Sequence, residues 1–269
     1  MVMKQIQHLM LLAVCATTVL CAQEKQFYII IPSYNNIKWY QRNLDMLFAQ
    51  DQHHNNWHAI YIDDHSTDGT GPAVEHYVHE HHFDHKVTVI KNEQNRGALA
   101  NLYFAIHSCP NDAIILTYDG DDWFYDEHVL EYLNSIYQDP NVWLTYGQYV
   151  EYPSGNLGIC APFPENVVKK SSYRKETWVS SHLRTFYAGL FKNIKQEDLM
   201  WEGTFFPMTW DLAIMFPMLE MAGHHVRFID RILYVYNLDN PINDWKKNLT
   251  LMYQLNNYIR KKPKYAALS

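Results

Sequence analysis

Four short apolar runs, most of them closed by a polar loop and followed by a helix-period segment, constrain this chain more than any other feature. The runs are Phe27 to Ile31, Trp57 to Ile62, Val87 to Ile90 and Ala113 to Tyr118. Between them, Ile37 to Ala49, about Pro72 to His82, and Ala98 to His107 repeat their apolar residues at helical spacing. In the first of these helices Trp39, Tyr40, Leu44, Leu47 and Phe48 form the expected inner face. Strand–helix alternation predicts an α/β, Rossmann-like fold, with a central, mostly parallel sheet flanked by helices on both faces. Open sheets of this kind bind ligands beyond the carboxyl ends of their strands. Three of the four runs end in loops rich in Asp, Asn or Gly, so polar chemistry is expected along that one edge.

The fourth run ends in Asp119-Gly120-Asp121-Asp122. Three carboxylates crowded at a strand end are unfavourable unless a cation neutralises them. Hard oxygen donors suit Mg²⁺ or Mn²⁺, metals that bridge to phosphates. The plain alternative is a polar turn capping a helix that begins near Asp126, since Asp and Gly are ordinary turn residues.

Four segments, in order, resemble family 2 glycosyltransferases of the GT-A fold. They are Ile31-Pro32-Ser33-Tyr34-Asn35-Asn36, Ile62-Asp63-Asp64-His65-Ser66-Thr67-Asp68-Gly69-Thr70, Asn95-Arg96-Gly97 with Asn101, and Leu116-Thr117-Tyr118-Asp119-Gly120-Asp121-Asp122. The resemblance covers about half the chain. It implies transfer of a sugar from a nucleotide-sugar donor, a UDP-sugar as the first expectation, to an acceptor hydroxyl, by inverting displacement assisted by Mn²⁺ or Mg²⁺. It also implies residue roles. Pro32 and Tyr34 would pack on the nucleotide, with Tyr34 facing the base or merely sealing the sheet end. Asp64 would accept from the base. Asn95, Arg96 and Gly97 would approach the nucleotide. Asp119 would lie near ribose or metal, and Asp121 would hold the metal. Asp122 is a water-mediated ligand or a helix cap, and Asp68 reads as a turn or cap residue.

Inverting transfer needs a carboxylate to take the acceptor proton. The family carries a Glu-Asp pair at a helix start; here Asp211 stands alone before Leu212 to Met221, with Glu202 in reserve and Glu220 read as structural. Asp211 is either the base or a helix cap. Val179 to Tyr187 reads as a helix, either a lid lined by His182 and Arg184 or an amphipathic surface helix with a snorkelling Arg. Val226 to Ile229 and Ile232 to Tyr236 read as short closing strands. Lys246, in the polar loop after Tyr236, is a guess at a phosphate contact. A helix is expected from about Asp244 to Lys262, completing a single GT-A domain over 23–269.

The incomplete base motif keeps a second class open, a non-catalytic GT-A-like domain that binds a nucleotide or glycan. A nucleotidyltransferase would want a Gly-rich basic loop after the first strand, which Pro32 to Asn36 is not. With 29 acidic and 22 basic residues, and a formal charge of −7, the chain is a poor nucleic-acid binder. A zinc site among His76, His79, His81, His82 and His85 is disfavoured, because the segment reads as an exposed helix end. Of four cysteines, Cys15 and Cys21 fall in the N-terminal segment, leaving Cys109 and Cys160, which is no disulfide framework. Lys4 followed by the apolar stretch Leu9 to Ala22 reads as a signal peptide or membrane anchor over residues 1–22. An exported or membrane-associated location follows; because nucleotide sugars are cytosolic, a cytoplasmic location is the alternative. The acceptor, whether glycan, lipid or protein, is not named by the sequence.

Overall fold

A computed structural model describes residues 24–243, 246 and 248–268. The expected leader over 1–22 lies outside the described residues. Among those described, no helix is long and apolar enough to cross a membrane.

The N-terminal half alternates as the sequence predicts. Strand β1 (Phe27–Ser33) pairs in parallel with β2 (Trp57–Asp63) and with β4 (Ile114–Thr117), and β2 pairs with β3 (Val87–Lys91). Helices α1 (Tyr40–Ala49), α2 (Thr70–Glu80) and α3 (Ala98–Ser108) make the crossovers. Buried on both faces, these strands read as unbroken apolar runs. Along β1, Ile30 enters one core while Phe27, Ile29 and Ile31 enter the other.

Beyond β4 the sheet becomes mixed. After the short β5 (Trp123–Phe124) come α4 (Val129–Ile136), β6 (Leu144–Tyr152), α5 (Glu165–Lys170), β7 (Arg184–Tyr187) and α6 (Ala188–Lys192). The hairpin β8 (Met200–Trp201) and β9 (Thr204–Phe205), helix α7 (Trp210–Ala222), strand β10 (Val226–Asn237) and helix α8 (Leu249–Lys261) complete the chain. The eight-stranded order is β3-β2-β1-β4-β7-β6-β10-β5. Strand β7 runs antiparallel to both β4 and β6, and β5 antiparallel to β10. Helices α3, α6, α7 and α8 cover one face, while α1, α2 and α4 cover the other.

Three expectations change. Val179 to Tyr187 is no surface helix: its end forms β7 in the middle of the sheet, where Thr185 and Phe186 are fully buried. The two closing strands are one, β10, whose register shifts between Ile229 and Tyr234; a bulge accommodates the extra residues without ending the strand. The C-terminal helix begins at Leu249, because the Asn248 side chain accepts from the Leu251 N–H and caps it. Residues 244, 245 and 247 of the expected helix lie outside the described residues.

Helix α7 buries Trp210 and every residue from Leu212 to Ala222. A helix apolar nearly all round belongs inside a protein; its two carboxylates are Asp211 at the head and the buried Glu220 near the other end.

Candidate active site

The carboxyl ends of β1, β2 and β4, the loop after β10, and the heads of α3 and α7 enclose a cavity of about 710 Å³. Pro32, Tyr34, Asp64, Asn95, Gly97, Asp119, Asp121 and Asp211 all line it. The structure therefore gathers nearly every residue singled out in the sequence around one space.

Asp64 sits at the end of β2, and its carboxylate organises the next loop. Oδ1 accepts from Asn92 Nδ2 at 2.8 Å and from the Arg96 N–H at 2.9 Å; Oδ2 accepts from the Gly97 N–H at 2.8 Å. Gly97 takes φ +84°, a conformation glycine adopts without strain. Arg96 thus reaches the site by its main chain, while its side chain is exposed outside the cavity wall. Asn101 accepts from Asn92 at 2.8 Å, but its own buried Nδ2 has no partner, although the residue lines the cavity. An unpartnered buried donor beside a cavity is suited to a polar ligand. Asp68 is a turn residue: its oxygens accept from the Thr70 N–H and hydroxyl and from the Ile37 N–H.

The Asp119–Asp122 turn is clasped from two sides. Asn43 Nδ2 donates to the carbonyls of Asp119 and Asp122 at 3.0 and 2.8 Å. From the loop after β10, Asn240 Nδ2 donates to Asp121 Oδ2 at 2.6 Å, and Asn237 Nδ2 to the Asp121 carbonyl at 3.1 Å. Gly120 is required by close approach: a Cβ there would meet Ser33 Cβ and Oγ at 2.7 Å. Asp122 neither caps α4 nor lines the cavity. It is fully buried beneath the turn, where Oδ1 accepts from the Asn237 N–H at 2.7 Å. Asp126 supplies the turn before α4 instead, accepting from the His128 N–H.

Ligand atoms of Asp119, Asp122 and His182 lie within 4.8 Å of one another. His182 is stacked between Tyr234 and Tyr236, and burial together with Arg184 pulls its pKa well below the ordinary value, so the imidazole is neutral. Burial, helped by Asp121 and Asp119, raises the Asp122 carboxyl well above its usual range. The turn crowds hard oxygen donors of the kind that suit a divalent cation, and Asp119 and Asp121 are its carboxylates that line the cavity.

Asp211, which lines the same cavity, stands in the first turn of α7 after Thr209, which takes a left-handed φ of +53°. Desolvation raises its pKa, opposed by Arg184 and by main-chain N–H groups. Glu202 does not line the cavity. It is exposed at the tip of the β8–β9 hairpin with φ +51°. Lys246 donates to the carbonyls of Leu238 and Asn240, so it braces the loop after β10. The exposed histidines of α2 pair with Glu80 and Asp84, and Cys109 and Cys160 are free thiols.

Several wall residues were not assigned a role from sequence. Trp178, Asn240, Met252 and Asn256 reach the cavity from loops and from α8. Asn240 lies 119 residues from the carboxylate it holds, and no local pattern announces such a partner.

The sequence model of glycosyl transferase family 2 matches residues 28–195, more than half of the chain. An uncharacterized glycosyltransferase of Haemophilus influenzae is 32% identical over 118 residues, 44% of this chain and 37% of that protein. The chain therefore spans little more than a third of that curated relative. Among solved structures, S. aureus TarS 1-349 in complex with UDP-GlcNAc is similar at TM-score 0.58 and 18% identity, over 80% of this chain and 59% of that one. Mannosyltransferase PcManGT from Pyrobaculum calidifontis, in complex with GDP-Man and Mn²⁺, is similar at TM-score 0.55 and 20% identity, over 89% and 66%. At these identities the structural likeness is one of fold. With its fold and the family match together, the chain belongs to glycosyl transferase family 2.

Proposed function

We propose that this chain transfers a sugar from a nucleotide-sugar donor, a UDP-sugar in the first instance, to an acceptor hydroxyl with inversion. The observation that carries the reading is a single cavity lined by Asp119, Asp121 and Asp211 together. The relatives support the donor class: TarS was solved with UDP-GlcNAc and PcManGT with GDP-Man and Mn²⁺.

In this reading the Asp64-held loop and the Asn101 amide receive the nucleoside, and Tyr34 packs against it. Asp119 and Asp121 hold Mn²⁺ or Mg²⁺, which when bound offsets the charge of the leaving diphosphate. Asp211 takes the acceptor proton as the acceptor oxygen bonds to the sugar carbon and the bond to the diphosphate breaks. Trp178, Met208, Trp210 and Met252 give the acceptor side an apolar, aromatic wall, with Asn256 as a neutral polar group. Arg184 is the lone Lys or Arg among the described wall residues, which favours an uncharged acceptor.

Calorimetry with Mn²⁺ and UDP, GDP or CMP tests the donor assignment. Tightest binding is expected for UDP, with a marked loss in Asp64→Ala. Preference for a purine nucleotide, or normal UDP affinity in Asp64→Ala, would contradict it. Failure of any nucleotide sugar to turn over, with nucleotide binding intact, would favour the non-catalytic domain.

A further inference from the structure

Arg184 is among the largest fully buried side chains of the described residues, 1% exposed on the central antiparallel strand β7. A guanidinium does not lose its proton in a protein, so its charge must be compensated where it sits. Nε donates to Thr117 Oγ1 at 3.1 Å, and Nη2 donates to His182 Nδ1 at 3.2 Å. The guanidinium carbon lies 5.0 Å from the Trp210 ring centre. Those partners are neutral. Among the described residues the carboxylate within ion-pair distance is Asp211, whose Oδ2 stands 3.9 Å from Nη1.

The two partners are held by different parts of the fold. Arg184 pairs through its main chain with Thr117 of β4 and Tyr146 of β6, so its base is fixed from both sides. Asp211 sits at the head of a helix entered through a left-handed Thr209. A sheet-fixed cation therefore faces a carboxylate carried at the head of a helix, where it is not held by strand pairing.

We propose that Arg184 is the positioning residue for Asp211: a buried cationic post that keeps the carboxylate charged and fixed at the cavity wall. The consequence for turnover rests on Asp211 being the base; the placement itself does not. At 3.9 Å the contact favours the charged form without a close two-point pair, which would hold the carboxylate too weakly basic. Other titratable groups around the same space are Tyr34, Asp64, Asp119 and Asp121 at the strand ends, Tyr236 of β10, and His182 beside Arg184, with Asp119 and the buried Asp122 close to His182. The α8 residues there, Met252 and Asn256, do not titrate.

The test is carboxyl NMR of ¹³C-Asp-labelled protein, with Asp211 assigned by its loss in Asp211→Asn. Arg184→Met should move the Asp211 titration midpoint upward by about one pH unit, and Arg184→Lys, which keeps the charge, should return it most of the way. Should Arg184→Met fail to fold, Thr117→Val decides: it removes the acceptor for Nε and should move the midpoint in the same direction by less. A midpoint unmoved in Arg184→Met, or in Thr117→Val where that variant decides, overturns the proposal. A purely structural role for Arg184 would lower stability in Arg184→Met and Arg184→Lys alike and leave the midpoint in place. If the midpoint moves while Asp211→Asn turns over normally, the positioning stands and the base assignment falls.

Discussion

Asp211 lies where three influences meet. Desolvation at the head of α7 raises its carboxyl pKa, while the Arg184 charge and the helix N–H groups lower it, and burial prevails. A base must be deprotonated to work, so activity exists above this pKa and is lost as pH falls through it. The acid limb of kcat should therefore lie above the ordinary aspartate value of about 3.9. Asp211→Asn keeps the size and much of the capping ability. It should leave UDP affinity unchanged and lower kcat by roughly 10²–10⁴, and the remaining activity should lose that limb. Near-normal kcat in this variant would remove Asp211 from the mechanism. The acidic residues of the site were legible because each ends a strand or heads a helix, and topology then carries strand ends to one edge. Arg184 was not. Its buried position depends on pairing with β4 and β6, and an arginine beside Phe and Tyr in four residues reads equally well as an amphipathic surface.

Legibility follows the same line for whole elements. Strands β1 to β4 announced themselves, because strands covered on both faces are apolar throughout. Strand β6 went unread, although Leu144 to Tyr152 is rich in Thr, Tyr and Val, residues that suit a pleated surface. It mixes these with Gly147, Gln148 and Glu151, and its outer half is only partly buried. The helix α7 was legible from its apolar length, but not what fixes it. Arg174 donates to both oxygens of Glu220 at 2.6 and 2.9 Å and to the Ile259 carbonyl of α8 at 2.7 Å; the Glu220 side chain is wholly buried. Tyr265 N–H donates to Glu220 Oε2 at 3.0 Å as well. This one carboxylate ties the helix that carries Asp211 to α8, whose Met252 and Asn256 line the cavity. Removing one partner of a buried pair leaves the other uncompensated, so Glu220→Ala should cost about 3–5 kcal/mol in denaturant unfolding. A cost below about 1 kcal/mol would mean that the pair behaves like an exposed one.

At the scale of the whole molecule, the sheet edge concentrates negative charge that the chain does not itself neutralise. The cavity wall holds four carboxylates, Asp64, Asp119, Asp121 and Asp211, and the protein carries a formal −7. Arg184, the cation in that wall, already faces Asp211. A nucleoside diphosphate brings further negative charge into this field, and like charges at close range repel. Nucleotide and divalent metal should therefore bind together and poorly apart. In EDTA, UDP should leave Tm unchanged. Mn²⁺ alone should raise it slightly, because it relieves repulsion between Asp119 and Asp121. Both together, at about 100 times Kd, should add about 2.7 kcal/mol, roughly 5–10 °C for a chain of this size. Asp121→Ala should abolish the joint shift while leaving the ligand-free Tm at or above that of the unaltered protein, since one of the crowded charges has gone. Equal UDP affinity with and without metal would show that side chains alone accommodate the diphosphate. A joint shift surviving in Asp121→Ala would move the metal away from this turn. Added salt separates the two contributions: screening weakens repulsion between partly exposed charges, so UDP binding without metal should improve as ionic strength rises, while the joint effect of metal and nucleotide shrinks.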